Sequence, residues 1–280
     1  MKISSKARMN RLFKSGGCLD VAIDHGVCNE PSFLNGLEDM GLVVDMLVNA
    51  GPDAIQMSYG QADLLQSRPD HEKPALVMRL DMGNPYNASR HRVMWAELQC
   101  DDPVLPAVEM DAACVVVNLF MLPDEPDLFR QCVRNIARVR TDCTRYGMPL
   151  MIEPLVMLPN DIRGGYQVDG DAEKIVTLVR VAAEMGADII KADPTTNADD
   201  FHKVIEAARV PVLARGGGKE DLRIVLEKSA ALIAQGARGL VYGRNIYQHA
   251  NPQAVVAALM AIIHDRASGA EAWEIYNHAG

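Results

Sequence analysis

Short apolar, β-rich runs alternate with longer amphipathic segments along almost the whole chain. Eight runs have the length and composition of strands: 18–24 (CLDVAID), 53–58, 75–80, 114–120, 150–156, 188–192, 211–215 and 239–243. Between them, apolar residues recur at helical spacing over 35–50, 127–145, 171–186, 199–208 and 219–236. A last such segment, 252–266, carries a proline near its first turn. Eight buried strands joined mostly by crossover helices predict a parallel α/β sheet closed into a single (β/α)8 TIM barrel. An open doubly wound sheet is the competing arrangement. The least regular connection is the third, where 81–100 read as a long loop carrying a short helix. No Pro/Gly/Ser-rich linker divides the chain, so one barrel domain is expected over 1–280, with 1–17 as an N-terminal extension.

A barrel has a direction: functional side chains gather at the C-terminal ends of its strands and in the loops that follow. The first strand ends in AIDHG, which puts Asp24 and His25 at that rim. Asp24 serves there either as a turn cap or as a working carboxylate. Neighbouring residues on a strand face opposite ways, so His25 is expected to support the rim or to pack outside the pocket, and it stands only as a weaker substrate-binding candidate. Glu153 interrupts the apolar run LMIEPLV, and glutamate is rarely buried unless it is paired or used. Arg79 and Asp81 share one parity, so an internal ion pair would explain both, and Gln56 is compatible with a pocket position.

Lys191 breaks the run DIIKA on the same face as Ile189. Burying an ammonium costs several kcal/mol unless it is paired or loses its proton. A structural pairing with Glu153 or Asp24 is the plainer explanation. The chemical one is a nucleophile: a free amine attacks a carbonyl to form a Schiff base, and the protonated imine is an electron sink that permits cleavage of the carbon–carbon bond beyond it. Asp24 and Glu153 would then move the protons.

The last two strands supply a different kind of site. RGGGK (215–219) follows the seventh and YGRNI (242–246) spans the end of the eighth. Gly216, Gly217 and Gly218 let backbone N–H groups approach an anion, GRN opens a short helix at Gly243, and Arg244 adds a charge-assisted contact. A phosphate site at these two loops recurs in barrels.

The totals narrow the partners. A net charge of −9 without a dense Lys/Arg run argues against nucleic acid and anionic membranes, leaving a small phosphorylated molecule. No apolar run reaches the roughly 18 residues of a membrane span, and the polar, basic start lacks a secretory core. Six cysteines without a C-x-x-C pair suit a reducing cytoplasm. None of the seven histidines pairs at metal-ligand spacing, so neither metal nor cofactor is expected.

Four pieces, AIDHG (22–26), AAEMGADIIKADPTT (182–196), PVLARGGGK (211–219) and GRNIYQHANPQAVVAAL (243–259), resemble in order and spacing the family of deoxyribose-phosphate-type, tagatose-bisphosphate and archaeal-type class I fructose-bisphosphate aldolases. They are also similar to a thiolase of autoinducer-2 phosphate breakdown, a member that performs acyl transfer, as is the terminal AWEIYN. The resemblance implies a cytoplasmic barrel enzyme, commonly a homo-oligomer. Lys191 matches its Schiff-base lysine and Asp24 its strand-1 aspartate, while Gly217, Gly218, Gly243 and Arg244 fall on its phosphate-binding segments.

Two departures matter. Fructose-bisphosphate members carry a proton-donating tyrosine in a YPRG-like stretch after the fifth strand. Here VMLPNDIRGG (156–165) has Leu158 before the proline. IEP (152–154) resembles instead members whose strand-5 glutamate transfers the proton, which implies that role for Glu153, with Tyr166 of the same loop as a weaker candidate. The fourth strand lacks a second lysine and offers Asn118. The expected activity is a carbon–carbon lyase acting on a phosphorylated ketose, with acyl transfer to coenzyme A, or binding of a sugar phosphate without turnover, as alternatives.

Overall fold

The computed structural model describes residues 3–69, 73–86, 93–162 and 164–279. Eight strands, Cys18–Ala22 (β1), Ala54–Ser58 (β2), Ala75–Arg79 (β3), Cys114–Met121 (β4), Leu150–Pro159 (β5), Ile189–Ala192 (β6), Val212–Arg215 (β7) and Gly239–Tyr242 (β8), form one parallel sheet. β1 pairs with both β2 and β8, and the circle closes where Val115–Met121 of β4 run beside Leu150–Val156 of β5. This is the closed (β/α)8 barrel, and the open sheet is excluded.

Period-2 alternation sorts the side chains. Cys18, Val77, Val116, Met151, Ile189, Leu213 and Val241 form one apolar cluster inside the barrel. Their neighbours Leu19, Ile55, Met78, Val115, Ile152 and Ile190 belong to the larger cluster packed under the helices. Lys191, of one parity with Ile189, therefore faces inward.

The helices keep close to the predicted segments, and three of them start later, where a side chain caps them. Asp39 accepts from Leu42 N ahead of Met40–Ala50, Asp171 from Lys174 N ahead of Ala172–Glu184, and Asp221 from Arg223 N ahead of Leu222–Ala234. The segment expected over 252–266 is α-helical from Pro252 to Met260 and ends in a π-helical turn over Ala261–Asp265. A further helix, Gly269–His278, opens with a Ser268/Glu271 capping box.

The N-terminal extension is itself a helix, Ile3–Leu12. Leu12 joins the interior cluster with Met9 and Phe13 beside it, while Arg11 pairs with Asp111 at 2.5 Å. It stoppers the end of the barrel opposite the rim.

The 81–100 segment differs from expectation. Its described part is a β-hairpin, Asp81–Gly83 against Ala96–Leu98, and the nearby helix, Val104–Glu109, starts beyond it. Residues 87–92 of this segment lie outside the described residues. Inward-facing Asp81 binds the backbone of Asn118 on β4, which holds the chain extended past the end of β3. On the other side of the rim, β5 continues into an antiparallel pair, Met157–Pro159 with Tyr166–Val168, where a loop had been expected. The two extensions meet where Tyr166 N donates to Pro85 O at 2.9 Å.

Candidate active site

Inward-facing side chains at the rim enclose an open-mouthed cavity of about 710 Å³. Its floor is a polar and charged network built from seven of the eight strands. Lys191 Nζ lies 3.0 Å from Glu153 Oε2 and donates to Gln56 Oε1 at 3.2 Å. Arg79 donates through Nη2 to the same Glu153 oxygen at 2.5 Å, through Nε to Asp24 Oδ2 at 2.8 Å, and through Nη1 to Asn118 Oδ1 at 3.1 Å and Asp81 Oδ1 at 3.3 Å. Arg215 at the end of β7 approaches Glu153 Oε1 at 3.7 Å and grips Asp193 Oδ1 at 2.5 Å.

Every member of this network is buried or nearly so, and burial alone would neutralise its carboxylates. Burial pushes Glu153 up, but Lys191, Arg79 and Arg215 outweigh it and bring the carboxyl down to about 2. Burial likewise raises Asp24, but Arg79 and then Lys191 hold it below the usual carboxylate range. Glu153 and Asp24 are thus anions at neutral pH. Asp193 goes the other way: burial lifts it to about 6 against Arg215, and its Oδ2 has no hydrogen-bond partner among the described residues.

The glycine segments form one wall. Cβ atoms at Gly217 and Gly218 would meet nothing within 4 Å, so these glycines leave open space beside the loop. A Cβ at Gly216 would run into the Tyr242 ring at 2.6 Å, and one at Gly243 into His25 at 2.6 Å. Gly216 and Gly243 are therefore demanded by packing. Arg244 Nη2 donates to Gly217 O at 3.4 Å, Asn245 Nδ2 donates to Gly218 O at 3.2 Å, and the Arg244 guanidinium stacks over Phe33 at 4.2 Å. The helix opened by GRN is a single turn, Arg244–Tyr247.

Asp24, Arg79, Asn118, Glu153, Lys191, Gly216, Gly217, Gly243 and Arg244 all reach the cavity. His25 does too, so it does not pack outside the pocket, because the chain leaves the strand at Ala22 and turns into a 3₁₀ helix over His25–Cys28. Burial lowers its imidazole to about 4, leaving it neutral. Gln56 is not a lining residue: it is fully enclosed beneath the floor, donating to Asp24 Oδ2 at 2.6 Å while accepting from Lys191. Gly218 and Tyr166 border an outer vestibule that adjoins the cavity. Arg215, Asp193, Tyr86, Cys28 and Phe33 join the site although none is among the residues expected there from the sequence. The first two share the inward parity of Leu213 and Lys191 and were legible on that ground. The other three sit on irregular segments. Among the described residues no group of three or more His, Cys, Asp or Glu side chains could hold a metal ion.

A family profile described as DeoC/LacD family aldolase matches residues 18–249. The chain belongs to this family. An uncharacterized aldolase of Saccharolobus solfataricus is 32% identical over 98% of this chain and 99% of its own. The 3-hydroxy-5-phosphonooxypentane-2,4-dione thiolase of Escherichia coli is 29% identical over 97% of this chain and 86% of its own. Among solved structures, an archaeal fructose-1,6-bisphosphate aldolase with its catalytic lysine covalently bound to a carbinolamine intermediate superposes with a TM-score of 0.76 at 24% identity, covering 93% of this chain and 99% of that one. At that identity the likeness speaks for the fold, a family barrel.

Proposed function

We propose that this DeoC/LacD family member is a Schiff-base-forming aldolase that cleaves or forms a carbon–carbon bond in a phosphorylated ketose or related keto-sugar. The observation that carries this is the placement of Lys191 Nζ at the cavity floor, 3.0 Å from a carboxylate that can take its proton. Glu153 accepts that proton and the free amine adds to the substrate carbonyl. Glu153 at once returns the proton to the carbinolamine hydroxyl, which leaves as water, and the positive charge of the resulting protonated imine replaces the ammonium beside the again ionised Glu153. Asp24, ionised and held by Arg79 and Gln56, accepts the proton of the hydroxyl on the far carbon. The carbon–carbon bond breaks, its electron pair moves into the imine to give an enamine, and an aldehyde leaves. The enamine carbon then takes a proton, and water releases the ketone fragment from Lys191. Arg244 and the Gly217–Gly218 backbone hold the phosphate across the cavity.

A second reading, acyl transfer from a phosphorylated diketone to coenzyme A, is favoured by the 29% identity to the thiolase. Cys28 lines the cavity, but burial pushes its thiol up to about 12, which makes it a poor acyl acceptor. Steady-state assays with ketose bisphosphates and with a phosphorylated diketone, each with and without coenzyme A, separate the two. The aldolase releases aldehyde at a rate indifferent to coenzyme A. Turnover only when both diketone and coenzyme A are present would replace this reading with the thiolase.

A further inference from the structure

The cleavage scheme needs a donor for the enamine carbon. Glu153 is ill suited, because three cations share its oxygens and hold it ionised. Asp24 takes up the hydroxyl proton during cleavage, but Arg79 Nε and Gln56 Nε2 both bond its Oδ2 and Arg79 and Lys191 favour its anion, so it gives that proton up to water at the open mouth. A donor must carry a proton at neutral pH, face the cavity and have that proton uncommitted. Tyr86 meets all three conditions.

Tyr86 follows the Asp81–Gly83 strand of the hairpin and lines both the inner cavity and the outer vestibule. Its backbone is fixed from several sides. Buried Asn84 accepts from Trp95 N at 2.9 Å and donates to Val93 O at 3.2 Å, and Pro85 O accepts from Tyr166 N. The ring leans on Phe33, with centroids 5.5 Å apart. Its hydroxyl oxygen accepts from Arg215 Nη1 at 3.2 Å, and among the described residues the hydroxyl proton has no acceptor. That proton is free to go to a bound molecule.

Resting on the imine reading, we propose that Tyr86 is the proton donor to the enamine carbon. In this step the Tyr86 O–H bond breaks and a C–H bond forms, while the enamine's electron pair becomes the new bond and restores the iminium on Lys191. The phenolate left behind sits against the Arg215 guanidinium, whose other side is anchored on Asp193. Water at the open mouth then returns the proton. Burial pushes the Tyr86 hydroxyl above its usual range and Arg215 offsets part of that, so Arg215 is a positioning residue for the short-lived phenolate.

The test runs the step backwards. Wild type and Tyr86→Phe are incubated in D2O with dihydroxyacetone phosphate or hydroxyacetone phosphate. Exchange of hydrogen at the carbon beside the carbonyl is followed by NMR, and imine is trapped in parallel with borohydride and weighed. The expected result is wild-type-like trapping by Tyr86→Phe, with exchange slowed roughly 100-fold or more, the scale of a lost general acid–base. Trapping and exchange both at wild-type level would overturn the tyrosine's role while leaving the imine intact. Loss of both together would assign Tyr86 to shaping the cavity and also overturn the proposal. No adduct in the wild type with either ketone would sink the imine reading itself.

Discussion

Asp20 offers a quantitative test of the electrostatics beneath the site. It lies inside the barrel on β1, fully enclosed, and neither carboxyl oxygen has a hydrogen-bond partner among the described residues. Burial lifts it from 3.8 to about 7, with Lys191 pulling the other way. The folded protein therefore keeps a proton that the unfolded chain gives up near pH 4, and stability falls as pH rises between those values. At about 1.4 kcal/mol per pH unit, the gap between 3.8 and about 7 comes to about 4 kcal/mol. Replacing Asp20 with asparagine removes the titration but keeps the shape. The amide brings unsatisfied groups of its own, so the informative quantity is the change with pH and not the offset. Urea unfolding of both proteins from pH 4 to 8.5 should show the variant gaining on the wild type by up to about 4 kcal/mol and levelling off above pH 7. A difference that stays flat with pH, or that shrinks as pH rises, would refute a neutral buried Asp20.

Other outcomes follow from the same network. Glu153→Gln leaves Lys191, Arg79 and Arg215 short of their shared anion, so unfolding free energy should drop by roughly 3–5 kcal/mol along with turnover, and an unchanged urea midpoint would deny the network its structural role. Arg244→Ala should raise KM for a phosphorylated ketose about 10- to 100-fold, the worth of a charge-assisted hydrogen bond, and spare an unphosphorylated analogue; an equal effect on both would remove the phosphate from this wall. Leu12→Ala should cost roughly 2–5 kcal/mol in thermal stability with kcat preserved at permissive temperature, since this side chain fills the opposite end of the barrel. A change in kcat/KM there, with stability unaltered, would contradict that separation.

Much of this was legible in the chain. β-rich apolar runs marked all eight strands, and charges interrupting them marked Lys191, Glu153, Arg79 and Asp24, because a buried charge conflicts with its surroundings and so stands out. By the same test Asp20 is equally visible in CLDVAID, on the parity of Asp24, but it lies in mid-strand, away from the rim where a barrel gathers its working groups. Tyr86 was not legible. Its position depends on a hairpin fixed by Asp81 contacting Asn118 and by Asn84 spanning to Trp95, contacts between segments that no local periodicity encodes. The N-terminal helix was missed for a different reason: with Met9, Leu12 and Phe13 as its main apolar contacts, its helical period is faint, and only the open end of the barrel gives it a place to dock.

The proposed chemistry turns on a covalent bond to one lysine. Wild type and Lys191→Met should be treated with borohydride in the presence of phosphorylated keto-sugars, digested with trypsin, and mapped by mass spectrometry. Reduction of an imine at Lys191 blocks cleavage there, so the predicted product is a fused peptide over 181–203 carrying the mass of the reduced keto fragment, in the wild type alone. Adduct on a different residue, or none in a wild type that turns the same sugar over, would rule out an imine at Lys191.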